Sequence, residues 1–236
     1  TTAIPSTSAG QIRDLEGNPT RRLVDADMSF HAIREYAPGD SRRQVHWKST
    51  AKTGQLMVRQ YEESRRSRMA VVLSVAEAEY ADADEFELAV SAAASLGLRA
   101  VQDAREVDIV TGAEIPRAVR GRLRAIRHIP AASRRTMLDG FSAVEQLENT
   151  MAIADVCRLA ADANERLSIA FVLVGSRVPL TRLRQAALGF PADTTVVAVI
   201  CDERAHPRMS TFSGLTVLTV GTLEDLSGLL VRGATS

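Results

Sequence analysis

Apolar positions along this chain change their period between residues 62 and 69, and the change divides it in two. Before that point apolar and polar residues alternate. From Met28 to Tyr36, the side chains of Met28, Phe30, Ala32 and Tyr36 fall on one face of an extended segment, which predicts a strand. Ala37-Pro38-Gly39-Asp40 follows as a turn, with proline presetting one dihedral and glycine accepting a positive one. Asp40 or Ser41 is placed to cap a short helix through about Lys52, closed by Gly54. Leu56 to Glu62 reads as a second strand that pairs with the first.

After SRRSR the pattern becomes short unbroken apolar runs separated by helical spacing. Met69–Val75 (MAVVLSV) is such a run, as a strand buried on both faces requires. Asp82 or Asp84 caps a helix whose apolar positions run from Phe86 to Val101. Val107–Val110 is a further strand. Helices are expected from Ser133 through Gln146, over Met151–Ala163, and from Pro179 to about Leu188. Ser168–Val174, Thr195–Ile200 and Leu215–Val220 are strands, and Thr222 caps a last helix ending near Arg232. Strands alternating with helices imply right-handed crossovers, hence an α/β fold with a mainly parallel sheet and helices on both faces. Residues 1–20 are rich in Ser, Thr, Pro and Gly, which predicts a flexible linker over residues 1–24, a small β unit over 25–66 and an α/β domain over 67–236.

Composition narrows the classes. Hydrophobic content of 45% and charged content of 25% are ordinary for a globular chain, and a zero net charge offers no global field for nucleic acid or an anionic membrane. No run approaches ~18 uninterrupted apolar residues, so nothing in these residues spans a membrane. The start at Thr1, with no recognisable leader, reads as a piece of something longer. Cys157 and Cys201 both lie in apolar patterns and are expected as buried reduced thiols. Charge is locally uneven: residues 113–136 carry seven basic side chains and one acidic. That block, Arg117 to Arg135, is either a phosphate-tracking surface or a solvated face answering the acidic segment before it. It has no aromatic platform for bases.

Catalytic signatures are missing. There is no Gly-rich phosphate loop, no H-E-x-x-H, no C-x-x-C and no G-x-S-x-G. His31, His46, His128 and His206 lie in separate segments without metal-ligand spacing. What stands out is the block from His31 to Glu62, where Arg34, Glu35, Asp40, Arg43, His46, Trp47 and Lys48 mix charge and the chain's one tryptophan at close spacing. As residues, they support a charge network anchored by a packed Trp47, or a docking face with Arg and Trp as anchors. An enzyme using Glu35, Asp40 and His46 would need these three gathered in a cleft.

The segment REYAPGDSRRQVHWKSTAKTGQLMVRQYEE resembles the signature of the domain of unknown function 58 family, with matches at Arg34, Glu35, Tyr36, Pro38, Gly39, Asp40, Arg43, Trp47, Ala51, Leu56 and Val58. Lys52 stands where the family commonly has arginine, and the following segment looks like the actinobacterial branch. The resemblance implies a von Willebrand factor A-like domain after the signature, at the cytoplasmic face of the membrane in a membrane-anchored protein. It also implies a protein partner, a MoxR-type AAA+ ATPase. A von Willebrand A domain with its metal site carries D-x-S-x-S after the first buried strand. Here Ser74, Ala76 and Ala78 occupy those places, and Gly175-Ser176 replaces a later Asp-Gly. Glu77 and Glu79 are the nearest carboxylates. The expectation is a degenerate site with no metal and no cofactor, in a non-catalytic adaptor that docks proteins. The loops after Val75, Thr111 and Val174 would then be the first places to look for a partner, since open parallel sheets meet ligands at their strands' carboxyl ends.

Overall fold

The computed structural model describes residues 29–37, 45–62, 68–116, 125–164 and 167–233. The linker expected over residues 1–24 lies outside them. The chain divides into two compact units between Arg66 and Ser67.

In the first unit, β1 (Ser29–Glu35) pairs antiparallel with β2 (Met57–Glu62), with one irregularity between Phe30 and Ala32. The expected hairpin-like pairing is present. Between the strands lies α1 (Trp47–Thr53). It begins later than expected, because the chain is still extended at its approach. Val45 bridges to Val58, and His46 N–H donates to Met57 O at 2.8 Å. The cap is therefore His46, not Asp40 or Ser41, both of which lie outside the described residues. Gly54 closes the helix at φ 72°, a left-handed conformation that glycine adopts without a Cβ penalty, and its N–H reaches Thr50 O.

The second unit is the α/β domain. Its helices are α2 (Ala83–Gln102), α3 (Arg134–Ser142), α4 (Ile153–Asp162), α5 (Leu180–Ala187) and α6 (Leu223–Gly233). Its strands are β3 (Arg68–Leu73), β4 (Val107–Gly112), β5 (Ile126–Ile129), β6 (Leu167–Gly175), β7 (Thr195–Cys201), β8 (Arg208–Phe212) and β9 (Leu215–Val220). Among the described residues these seven form one sheet in the order β5-β4-β3-β6-β7-β9-β8. The five inner strands run parallel, and β5 and β8 run antiparallel at the edges. This is the α/β class that the sequence led us to expect, a mainly parallel sheet with helices packed on both faces.

The unbroken apolar runs are explained by burial on both faces. Met69, Val71 and Leu73 of β3 pack with Phe86 and Leu96 of α2, Met137 and Phe141 of α3, and Leu226 and Leu230 of α6. Ala70 and Val72 face the other way, with Val156 and Ala160 of α4 and Leu183 of α5. The two cysteines sit in opposite layers, both free and buried. Capping follows the sequence closely. Asp82 Oδ1 accepts from Glu85 N–H, Ser133 and Thr136 form a reciprocal box, and Thr222 and Asp225 do the same at α6. One helix is shorter than its pattern: α3 stops at Ser142, because Leu147 is drawn alongside the loop after β3, its N–H donating to Val75 O at 2.7 Å.

Strand β6 ends at Gly175, where a Cβ would meet Glu79 O at 2.4 Å and the Tyr80 backbone at 2.8 Å. Those are backbone atoms and cannot swing aside. Gly175→Ala is expected to destabilise by about 3 kcal/mol, the upper end of overpacking costs. Gly228, within α6, has nothing within 4 Å of a built Cβ. Gly228→Ala should stabilise by about 0.5–1 kcal/mol through helix propensity. Urea unfolding of the two variants, with opposite signs expected, checks the contrast.

Candidate functional site

The residues singled out from sequence gather at the signature helix of the first unit and at the carboxyl edge of the sheet in the second. In the first, His46 heads α1. Its Nδ1 accepts the Ser49 N–H at 3.3 Å and lies 2.7 Å from Ser49 Oγ. Thr53 Oγ1 donates back to Ser49 O, and Met57 N–H donates to Thr50 Oγ1. The helix is thus ordered by local hydrogen bonds, and no side chain on it is buried. Trp47 is 68% exposed. The expectation of Trp47 as a packed apolar anchor is corrected: among the residues of this unit whose burial is described, it is Val58 of β2 that is buried. Glu35 and Lys48 are also exposed. The side chain of Arg34, and Asp40 and Arg43 altogether, lie outside what the structure describes. The proposed catalytic trio is therefore represented by Glu35 and His46, and His46 is employed as a helix cap.

In the second unit, the carboxyl edge of the sheet is closed by the chain itself. After β3 a 3-10 turn, Glu77–Glu79, folds back over Ser74. Ser74 Oγ donates to Glu79 Oε2 at 2.5 Å, and Tyr80 OH donates to Ser74 O at 2.7 Å. Tyr80 is in turn packed edge-on against Phe86, with ring centroids 5.2 Å apart. Glu79 is 3% exposed, and its other oxygen lies 3.7 Å from Arg182 Nη1 on α5. Glu85, also buried, accepts two backbone N–H groups through Oε2, from Ala81 at 2.9 Å and Ser176 at 3.1 Å. Arg177 N–H donates to Glu79 O. The loop after Val174 is thereby tied to the loop after β3.

These residues do not fit a hard divalent cation, which takes several oxygen ligands with carboxylates among them. Ala76 and Ala78 offer no hydroxyl. The carboxylate that is present already accepts from Ser74 and faces a guanidinium of the same chain. Among the described residues, no group of three or more His, Cys, Asp or Glu side chains is placed to hold a metal ion. Of the three loops singled out from sequence, those after Val75 and Thr111 share a hollow of about 300 Å³, lined in part by Glu114, Arg127, Val144 and Leu147. Arg127, from the basic block, spends Nη1 on Ala143 O. Arg134 and Arg135 are exposed, and Arg117 to Arg124 lie outside the described residues.

The sequence matches the family described as "Protein of unknown function DUF58" over residues 32–177, more than half of its length. The chain belongs to this family. No curated protein matches it. Among solved structures it is similar in fold to proximal thread matrix protein 1 from the mussel byssus (12% identity, 72% of this chain, 47% of that one, TM-score 0.45). It is similar also to the RO protein of Deinococcus radiodurans (16%, 73% and 35%, TM-score 0.44). A third is a von Willebrand factor type A protein from Catenulispora acidiphila (12%, 75% and 43%, TM-score 0.42). This DUF58 chain spans less than half the length of each, and at such scores nothing about activity follows from the likeness.

Sequence reasoning on the DUF58 chain named Glu79 but not its partners. Arg182 is 103 residues away, and a serine five residues before a glutamate is a weak local signal. Burial pushes the Glu79 carboxyl above its ordinary value of 4.5, the Ser74 hydrogen bond and the Arg182 charge pulling the other way. An acid with a raised folded pKa binds more protons folded than unfolded. Its stabilising contribution is whole below pH 4.5 and lost as pH rises through the folded value. Replacing Glu79 by Gln removes that titration and keeps an acceptor for Ser74. The stability of wild type minus that of Glu79→Gln should therefore fall as pH is raised from below 4.5 toward neutrality, as read from urea midpoints across the range.

Proposed function

We propose that this protein is a non-catalytic adaptor whose signature helix docks a protein partner through Trp47, supported by Arg34, Glu35, Asp40, Arg43, His46 and Lys48. The supporting observation is the 68% exposure of the chain's one tryptophan on a helix that buries nothing. An indole left in water by a fold that has ample apolar core elsewhere is the residue type most enriched at binding hot spots. The charged residues close to it in sequence suit a polar rim. Family resemblance supplies the partner class, a MoxR-type AAA+ ATPase, and a setting at the cytoplasmic face of the membrane, anchored by segments outside this sequence. The degenerate metal site fits the same reading: Glu79 is committed to Ser74 and Arg182, which favours binding through side chains of the protein rather than through an ion.

The test is a quantitative pull-down of the neighbouring ATPase with the intact membrane protein, run with wild type and Trp47→Ala. Loss of a central aromatic anchor should weaken the complex by about 2 kcal/mol, roughly thirtyfold. Circular dichroism should be unchanged, because the side chain packs against no core. Capture at wild-type strength by a folded Trp47→Ala protein would sink the proposal.

A further inference from the structure

The amino end of the parallel strands holds another polar cluster, separate from the docking helix. Arg68 opens β3, Asp108 lies at the start of β4, His128 lies on edge strand β5, and Asn164 follows α4. Together with Arg105 and Glu106 they line a hollow of about 590 Å³. Most of the polar groups there are already paired. Arg68 holds Glu106 Oε2, through Nε at 3.2 Å and Nη2 at 3.1 Å, and donates through Nη1 to Asn164 Oδ1 at 3.1 Å. Asn164 Nδ2 donates to Asp108 Oδ2 at 2.7 Å, and Asp108 Oδ1 lies 2.9 Å from His128 Nδ1. Both acids of the ring are thereby satisfied.

Arg105 is the exception. Its Nη1 is buried with no hydrogen-bond partner among the described residues. Its backbone is fixed, the N–H donating to Ala100 O at 2.9 Å, so the orphan lies in the side chain and not in the path of the chain. A guanidinium does not shed its proton to escape such a position, and an unmet buried donor calls for a ligand, water or ion. The long stem lets the group swing into the adjoining hollow, where an incoming acceptor would meet it.

We infer that this hollow is a carboxylate-binding site in which Arg105 supplies the fork and the Arg68–Asn164–Asp108–His128 chain holds the wall. The unmet donor and its neighbours select the ligand. Arg68 is paired with Glu106, and Asp108 accepts from Asn164, so Arg105 is the guanidinium with a donor to spare. Glu106 and Asp108 line the same hollow, and a monoanion meets less repulsion from them than a dianion does. A planar carboxylate also matches the guanidinium with two parallel hydrogen bonds. The site is independent of Trp47 docking, which the variants below leave intact.

The test follows backbone amides of isotope-labelled protein by NMR during titration with acetate, with inorganic phosphate at matched ionic strength, and with two peptides. One peptide is acidic with an amidated end, and the other is neutral with a free carboxyl end. Acetate should give saturating shifts at Arg105, Glu106, Asp108 and His128, with phosphate weaker. Tighter binding of the acidic peptide than of acetate assigns the carboxylate to a partner's side chain, and tighter binding of the neutral peptide assigns it to a chain terminus. Acetate binding best of all assigns it to a small molecule, and each of these outcomes supports the site. Arg105→Gln should weaken the best ligand at least about tenfold, the factor carried by a lost charge-assisted hydrogen bond. Arg105→Lys keeps the charge without the fork; it should weaken binding as well and stands in if the glutamine variant is unstable. Absence of saturation, equal response to phosphate, or unchanged affinity in both Arg105 variants would overturn the assignment.

Discussion

The carboxyl edge of this sheet depends on burying one carboxylate. Parallel strands end together and leave their loops to settle what fills the space above them. Here the turn after β3 brings Glu79 back over the strand it left, so that Ser74, the first residue beyond the strand, donates to it directly. The rest of the edge is built on that bond. Tyr80 can reach Ser74 O, and Arg177 N–H can reach Glu79 O. Gly175 has to be glycine because the backbone of Glu79 and Tyr80 passes where a Cβ would stand. Glu85 completes the lock by accepting N–H groups from both loops. Two buried acids are costly to desolvate, and they are tolerated because their oxygens meet donors.

That lock decides where chemistry is available. A carboxylate committed to a hydroxyl and a guanidinium is a poor ligand for a hard ion, and a loop pinned by these hydrogen bonds is a poor gate. Polar groups that remain open lie elsewhere: around the hollow shared by the loops after Val75 and Thr111, around Arg105 at the opposite end of the strands, and on the signature helix. The burial of both thiols points the same way, since desolvation pushes Cys157 and Cys201 well above the ordinary thiol range and leaves them inert as nucleophiles.

The sequence disclosed the interior better than the rim. Strands β3, β6, β7 and β9 were legible because burial on both faces demands unbroken apolar runs, and α2, α3, α5 and α6 because they begin at Asp82, Ser133, Pro179 and Thr222. Edge strands β5 and β8 were not legible. IRHI and RMSTF bury little, and an edge strand is permitted to be polar, even basic, to discourage pairing with other chains. The cap of α1 was misplaced because histidine is a rare cap and only tertiary pairing of Val45 with Val58 delays the helix to it. Within the candidate sites, the absence of a D-x-S-x-S motif after β3 could be read directly, but what stands in its place could not. Ser74 to Glu79 is a contact made by a tight turn, and Arg182 arrives through the sheet's topology. The orientation of Trp47 was equally closed to inspection, since a single aromatic among charges has no period to reveal its face.

Helix α1 shows why that orientation matters. Seven residues are too few for a helix to persist in water on its own propensity. This one buries no side chain, so apolar packing does not account for it. Its order comes from polar closure at both ends: His46 and Ser49 at the start, Gly54 at the end, and Thr50 Oγ1 receiving Met57 N–H across the turn. The result is a backbone fixed from beneath by hydrogen bonds, with its largest side chain left facing solvent. Fixing the backbone in advance removes part of the ordering entropy that a flexible loop would lose on contact. Burying the indole against a partner would then return nearly its whole apolar area as favourable free energy. With the helix stiffened and the ring left outside, that apolar area stays available, which is what the proposed docking through Trp47 requires.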